Sequence, residues 1–220
     1  MTRASRSSAE RIPESPGLSE AVVRAIETHL TRREARRERL HDEARALRRR
    51  AQRVMIRLHD GAADRNEVRA LRTAMRALSR GVRSDAAADA PLVRDALQEA
   101  VEAILLEAAL RSVLFPGPAE LGVEVEPYLL GLGDVVGELR RRALIDLAED
   151  RLASAERWVR TMDRLYQTLM RFDTTRAIVP LKPKQDTARS LLERTRGEVV
   201  MARVHARHSA PSLSSDEEGA

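Results

Sequence analysis

Four carboxylates stand in stretches of sequence that are otherwise apolar. Glu99 and Glu102 lie in APLVRDALQEAVEAILLEAALRSVLF, and Asp134 and Glu138 lie in YLLGLGDVVGELRRRAL. Asp95, Glu99 and Glu102 are four and three residues apart, and Asp134 and Glu138 are four apart, so on helices each set forms a stripe on one face. From Ala96 onward the first stretch is apolar on nearly every side, which marks a helix covered over most of its surface. A carboxylate in such a place is costly unless a cation or hydrogen-bond donors meet it. Two arrangements would satisfy it. Arginines from neighbouring helices, such as Arg94, Arg140 or Arg141, can pair with the acids one by one. Alternatively the two stripes converge on a hard divalent cation, which prefers carboxylate and water oxygens and needs no His or Cys. A magnesium ion held in that way would orient a phosphodiester, activate a water and stabilise the leaving oxygen. Gly131, Gly133 and Gly137 lie beside the second pair of acids. Each costs about 1 kcal/mol against Ala in a helix interior, so something must come close to that helix in return. Asp95 and Glu107 have no assigned role.

The elements that must position these stripes read as helical throughout. Val22, Ile26, Leu30, Leu40, Ala44, Leu47, Ala51, Val54 and Leu58 recur mostly at spacings of three, four and seven, which predicts a long first helix over residues 18–58. Gly61 reads as its C-cap and Asp64 as the N-cap of a second helix over 65–78. A linker over 79–91 follows, with Asp89 and Pro91 in the order expected at a helix start. A third helix is predicted over 90–114, ended by Pro116 and Pro118, which cannot continue it. Further helices are predicted over 126–147, 153–172 and 184–205. This is an all-α chain, a compact bundle of six to seven helices without strands or internal repeats. Residues 1–17, poor in apolar groups, read as a disordered arm, 18–206 as the folded domain, and the acidic, Ser-rich 207–220 as a disordered tail.

With 220 residues and 43% hydrophobic content the chain can bury one core. Its only aromatics are Phe115, Tyr128, Trp158, Tyr166 and Phe172, so that core must be built from Leu, Val, Ile and Ala. The absence of cysteine excludes thiol catalysis, disulfides and Cys-based zinc sites. With no apolar run of membrane-spanning length and no signal-peptide pattern, the expectation is a cytoplasmic protein without a membrane partner. The five histidines show no ligand spacing apart from His205 and His208, which read as surface residues.

The formal net charge is +5, and the positive charge is almost all arginine, Lys182 and Lys184 being the only lysines. Eleven arginines against four acids fall between residues 29 and 57, which makes one face of the first helix cationic. Such a run is either a solvated face with Glu/Arg pairs or a surface for a polyanion.

Taken together these stretches resemble a known family. YLLGLGDVVGELRRRAL is similar to the signature helix of the translin and translin-associated factor X family, in which a Tyr-Leu-Leu-Gly opening leads into an Asp-Leu-Thr-Gly-Glu-Leu-like core. LQEAVEA resembles the Glu-Tyr-Val-Glu-Ala element on an earlier helix of the catalytic, translin-associated factor X-like branch. ALRRRAQRVMIRLHDG resembles the family's first helix, and LKPKQDTARSLLERTRGEVVMA its last. The four matches fall in order between about residues 40 and 203. Two departures are Ala100 in place of the tyrosine and Val136 in place of the threonine.

What the resemblance implies is a bundle of about seven helices that self-associates, as an octamer, into a hollow shell with nucleic acid inside. In the catalytic branch it further implies a magnesium-dependent endoribonuclease acting on single-stranded RNA. Carried over by position, the catalytic residues are Glu99, Glu102 and Asp134, with Glu138 as an additional metal ligand, and Mg2+ or Mn2+ as the ion. Arg32, Arg33, Arg36, Arg37 and Arg39, with Arg45, Arg48, Arg49 and Arg53, are the expected contacts to the nucleic-acid backbone. With so few aromatics, binding would be salt-dependent and nearly indifferent to sequence. The alternative is a non-catalytic oligomer of the translin type that binds single-stranded RNA or DNA and uses the acids only as ion-pair partners.

Overall fold

The computed structural model describes residues 17–83, 90–173, 175 and 177–209. Among them are seven helices and no strand: α1 Glu20–His59, α2 Arg65–Arg83, α3 Ala90–Leu110, α4 Pro118–Leu121, α5 Val125–Ala148, α6 Leu152–Leu169 and α7 Lys182–Ser209. The chain divides into two units, at Arg39 and Leu40. In the first, the described residues 17–39 form the opening turns of α1, started by Ser19, whose Oγ accepts from Val22 N at 3.4 Å. The apolar stripe Leu18, Val22, Ile26 and Leu30 is exposed there.

The second unit holds the core. Leu40, Ala44, Leu47, Ala51, Val54 and Leu58 are all buried, as their spacing predicts. Helix α5 packs against α3, α6 and α7, and α2 lies on α3. The middle of α3 is covered on most sides: Ala100, Val101, Ala103, Ile104, Leu105 and Leu106 are fully buried, while Glu102 between them is partly exposed.

Caps set most of the boundaries. Helix α1 closes on Gly61 at φ +68, with Gly61 N bonded to Leu58 O and Ala62 N to Arg57 O at 2.8 Å. Asp64 then starts α2, its side chain accepting from Asn66 N at 3.1 Å, while Glu67 reaches back to Asp64 N at 3.1 Å, the returning half of a capping box. Helix α2 runs five residues beyond its expected end, to Arg83.

Helix α3 stops at Leu110, four residues before its expected end. Ser112 adopts φ +55 and Val113 N bonds to Ala108 O at 3.0 Å, so a left-handed closure ends the helix well before Pro116. The apolar run Val113–Leu114 suggested continuation, but Leu114 is 95% exposed. Pro118 instead opens the single turn α4, which the pattern did not reveal. Helix α7 continues to Ser209, into the segment expected to be tail. The expected arm over 1–16, the tail beyond Ser209 and the Asp89 cap lie outside the described residues.

Candidate functional site

The two acidic stripes meet where α3 crosses α5, and glycine makes the meeting close. A Cβ on Gly131 would stand 2.7 Å from Gln98 O and 3.0 Å from Val101 Cγ1, so only a glycine lets the α3 backbone settle there. A Cβ on Gly133 would stand 2.8 Å from Lys184 Cβ, which admits α7 on the adjoining face. At Gly137 the nearest atom would be at 3.8 Å, an ordinary contact. Two of the three glycines thus bring a second and a third helix to Asp134.

Each acid can be followed to its partner. Glu99 Oε1 takes Arg48 Nε of α1 at 2.6 Å, and Gln52 Nε2 lies 3.4 Å from its other oxygen. Asp134 takes Lys184 Nζ on Oδ1 and Gln98 Nε2 on Oδ2, the latter at 2.5 Å. Glu138 Oε2 meets Nε2 of the buried His59 at 2.5 Å. Burial lowers the His59 pKa, against the opposing pull of Glu138, which favours the neutral ring, and Nε2 donates because an ionised carboxylate can only accept. Glu102 differs from the other three in making no hydrogen bond or ion pair among the described residues. Its carboxyl is pushed up to about 8, first by burial and then by the charges of Asp134 and Glu138, against the pull of Lys184.

The four acids expected from the sequence therefore do share one electrostatic site, with Glu99, Asp134 and Glu138 each about three-quarters buried. The cations upon them are not those expected. Arg140 forks onto Glu198 at 2.7 and 2.8 Å and Arg94 lies by Asp95 and Glu126, leaving Arg48 and Lys184 to meet the cluster. Arg48, expected on a nucleic-acid backbone, is thus committed to Glu99. Of the other expected backbone contacts, Arg45 pairs with Asp42 of its own helix at 2.5 Å, while Arg49 and Arg53 are exposed. Arg32, Arg33, Arg37 and Arg39 are exposed and Arg36 is partly covered, all within the first unit. Asp95 lies largely in solvent and Glu107 is paired with Arg111 at 2.9 Å. Gln52, His59, Gln98 and Lys184 carried no spacing signal, although Lys184 could have been noticed as one of two lysines in an arginine-rich chain.

Among the described residues no three His, Asp or Glu side chains stand as a ready set of metal ligands. The donors nevertheless suit a hard divalent ion in kind. With all four carboxylates ionised and His59 neutral, Arg48 and Lys184 leave two negative charges, and Glu102 is uncommitted. No described helix is long and apolar enough to cross a membrane.

No family model matches the chain. An uncharacterized protein of Methanocaldococcus jannaschii is 42% identical over 104 residues, 47% of this chain and 47% of that protein, so the match spans about half of the relative's length. Among solved structures, the AfC3PO–duplex RNA complex superposes with a TM-score of 0.78 and 31% identity, over 86% of this chain and 99% of that one. The crystal structure of AfC3PO gives a TM-score of 0.77 and 30% identity, over 84% of this chain and 98% of that one. Apo-NeC3PO shares the fold, with a TM-score of 0.74 at 17% identity over 84% of this chain and 100% of that one.

Proposed function

Because this chain belongs to the translin family, we propose that it assembles into a homo-oligomeric helical shell, an octamer as the resemblance implies, that binds RNA and cuts it at Glu99, Glu102 and Asp134 with the aid of magnesium or manganese. The observation that carries the reading is that the charges of Asp134, Glu138 and Glu99 all act on the largely buried Glu102, which alone among the four has no cation or donor of its own among the described residues. Binding of RNA is supported by the likeness to a protein solved with duplex RNA.

Glu99, Glu102 and Asp134 would hold the ion, with Glu138 beside them. When bound, such an ion supplies polarisation of the phosphate and a more acidic water. The protein contributes the rest. Gln98 and the α5 backbone fix the orientation of Asp134, Gln52 and Arg48 orient Glu99, and His59 holds Glu138. Exposed arginines of α1 attract the phosphates and set position rather than sequence. The non-catalytic alternative, an oligomer that binds single-stranded RNA or DNA, has one observation in its favour: Arg48, Lys184 and His59 already satisfy three of the four acids.

The test is incubation of labelled single-stranded and duplex RNA with magnesium, with and without chelator, beside Asp134→Ala and Glu102→Ala. The expected result is cleavage by the wild type alone, abolished by the chelator. Equal cleavage by all three proteins would overturn the enzymatic reading, and RNA binding without cleavage by any would establish the alternative.

A further inference from the structure

Lys184 stands out at the carboxylate site because it is the cation there that can leave. Its stem is fixed at the root, where Cβ packs on Gly133 so closely that no side chain would fit between them. Cγ and Cδ run along the same glycine, where an added Cβ would stand 3.2 and 3.5 Å from them, so the freedom lies at the ammonium end: among the described residues it has Asp134 Oδ1 as its sole hydrogen-bonded partner, and the side chain is about a quarter exposed. Arg48, the other full cation, sits on Glu99, whose second oxygen lies beside Gln52. His59 is buried and bonded to Glu138 rather than to Asp134. The second oxygen of Asp134 is held by Gln98, a neutral donor that would not repel a cation.

Composition adds an independent observation. In a chain with 39 basic residues only two are lysines, and the second, Lys182, is an exposed partner of Asp186 at 2.7 Å. At position 184 the compact ammonium on a four-carbon arm replaces the planar guanidinium used nearly everywhere else. A lysine head makes a point-charge contact and can swing away by rotation about its own bonds, whereas an arginine fork favours a fixed two-point hold on a carboxylate.

We propose that Lys184 is a resident counter-cation of the site: it occupies Asp134 in the metal-free protein, competes there with the incoming divalent ion, and on displacement offers its ammonium to a phosphate oxygen of the RNA. This rests on the metal-binding reading above. The physical basis is plain electrostatics. A divalent ion and an ammonium drawn to the same carboxylate oxygen repel each other, so each weakens the hold of the other, and the repulsion is eased when a further anion lies between them. A substrate phosphate is such an anion, so metal binding and the swing of Lys184 favour the substrate complex together.

The experiment measures manganese affinity directly, by electron paramagnetic resonance in the absence of RNA, for the wild type, Lys184→Met, Lys184→Arg and Asp134→Asn. Lys184→Met keeps the stem against Gly133 and removes the charge, and thermal melting monitors folding of every variant. The expected result is tighter manganese binding by Lys184→Met, about tenfold or more for loss of a competing charge at contact distance. Lys184→Arg should stay near the wild type or bind more weakly, and Asp134→Asn should lose binding. At saturating manganese, Lys184→Met should show a raised KM for RNA, since the phosphate has lost a donor. A folded Lys184→Met with unchanged or weaker manganese affinity, beside loss of binding in Asp134→Asn, would overturn the role of Lys184 and leave the metal reading intact. Absence of manganese binding in both the wild type and Lys184→Met would overturn the two together.

Discussion

His59 at the end of α1 and Glu138 in the middle of α5 are 79 residues apart and meet at 2.5 Å, Nε2 to Oε2. The contact ties the first helix to the helix at the centre of the bundle, and Arg142 strengthens it by donating to His59 O at 3.0 Å. It gives Glu138 a structural task, as Arg48 gives Glu99 and Lys184 gives Asp134, whereas Glu102 makes no such tie among the described residues.

His59→Ala should therefore destabilise the protein by about 1–3 kcal/mol, the ordinary cost of leaving a largely buried carboxylate without its donor. Chemical denaturation at pH 7.5 measures it. Manganese affinity should change far less than in Asp134→Asn. A variant as stable as the wild type would show that this contact does not hold α1 to α5.

Glu102 dictates a pH dependence of the metal-free protein. Below its ordinary value near 4.5 the carboxyl is protonated in both the folded and the unfolded chain and contributes no difference. As pH rises toward about 8 the unfolded chain ionises while the folded one keeps its proton, so stability falls across that window. Glu102→Gln should remove the penalty and stabilise the metal-free protein at pH 8.5 by roughly 2–4 kcal/mol, after allowance for partial exposure, with little effect at pH 4.5. Melting curves in chelator at both values give the answer. Divalent-ion affinity of the wild type should rise over the same window, because the ion must displace that proton.

Asp146 predicts the opposite behaviour in acid. Burial alone would raise its carboxyl, but hydrogen bonds from Ser154, Arg151 and Trp158 together hold it below the ordinary Asp value. The Trp158 indole donates to Oδ2 at 2.7 Å and Arg151 Nη2 to Oδ1 at 2.6 Å, pinning the turn between α5 and α6. The stability this supplies is present above the unfolded value of 3.8 and is lost as pH falls below it. Asp146→Ala should cost about 1–3 kcal/mol at pH 7, since it leaves the buried indole without its acceptor, while the half-exposed Arg151 keeps Glu149 as a partner. The difference from the wild type, read by denaturant titration, should shrink below pH 3.5.

Two glycines separate packing from propensity. Gly131→Ala drives a methyl group to 2.7 Å from the Gln98 carbonyl oxygen, a backbone atom that cannot swing aside. It should cost about 1–3 kcal/mol and disturb the α3–α5 crossing that gathers the acids. Gly137→Ala meets only Leu191 Cδ1 at 3.8 Å and should stabilise by up to about 1 kcal/mol through helix propensity. Paired denaturation curves with RNA-cleavage assays would check both, and equal effects at the two positions would sink the argument.

The likeness to known proteins makes sense of what could be read early and what could not. Periodicity and caps act over three or four residues, so the buried face of α1 from Leu40 to Leu58, the Gly61 closure and the Asp64 cap were all legible from spacing alone. So was the placement of Glu99 with Glu102, and of Asp134 with Glu138, on single faces of α3 and α5. Where a helix stopped without glycine or proline, as at Ser112, the local signal was silent, because a left-handed serine is uncommon and the apolar run went on past it.

The identity of the groups meeting each acid was decided by tertiary structure. Arg48, Gln52 and His59 come from α1, Gln98 from α3 and Lys184 from α7, and no local rule brings them together. That depends on how closely two helices can approach, which Gly131 and Gly133 set through the absence of a Cβ. The sequence by itself determined an all-helical chain with two acidic stripes in apolar surroundings. The tertiary structure decided that three of those acids are held by donors and that Glu102 has none among the described residues, because pairing is a matter of helix crossing and reach rather than of spacing along the chain.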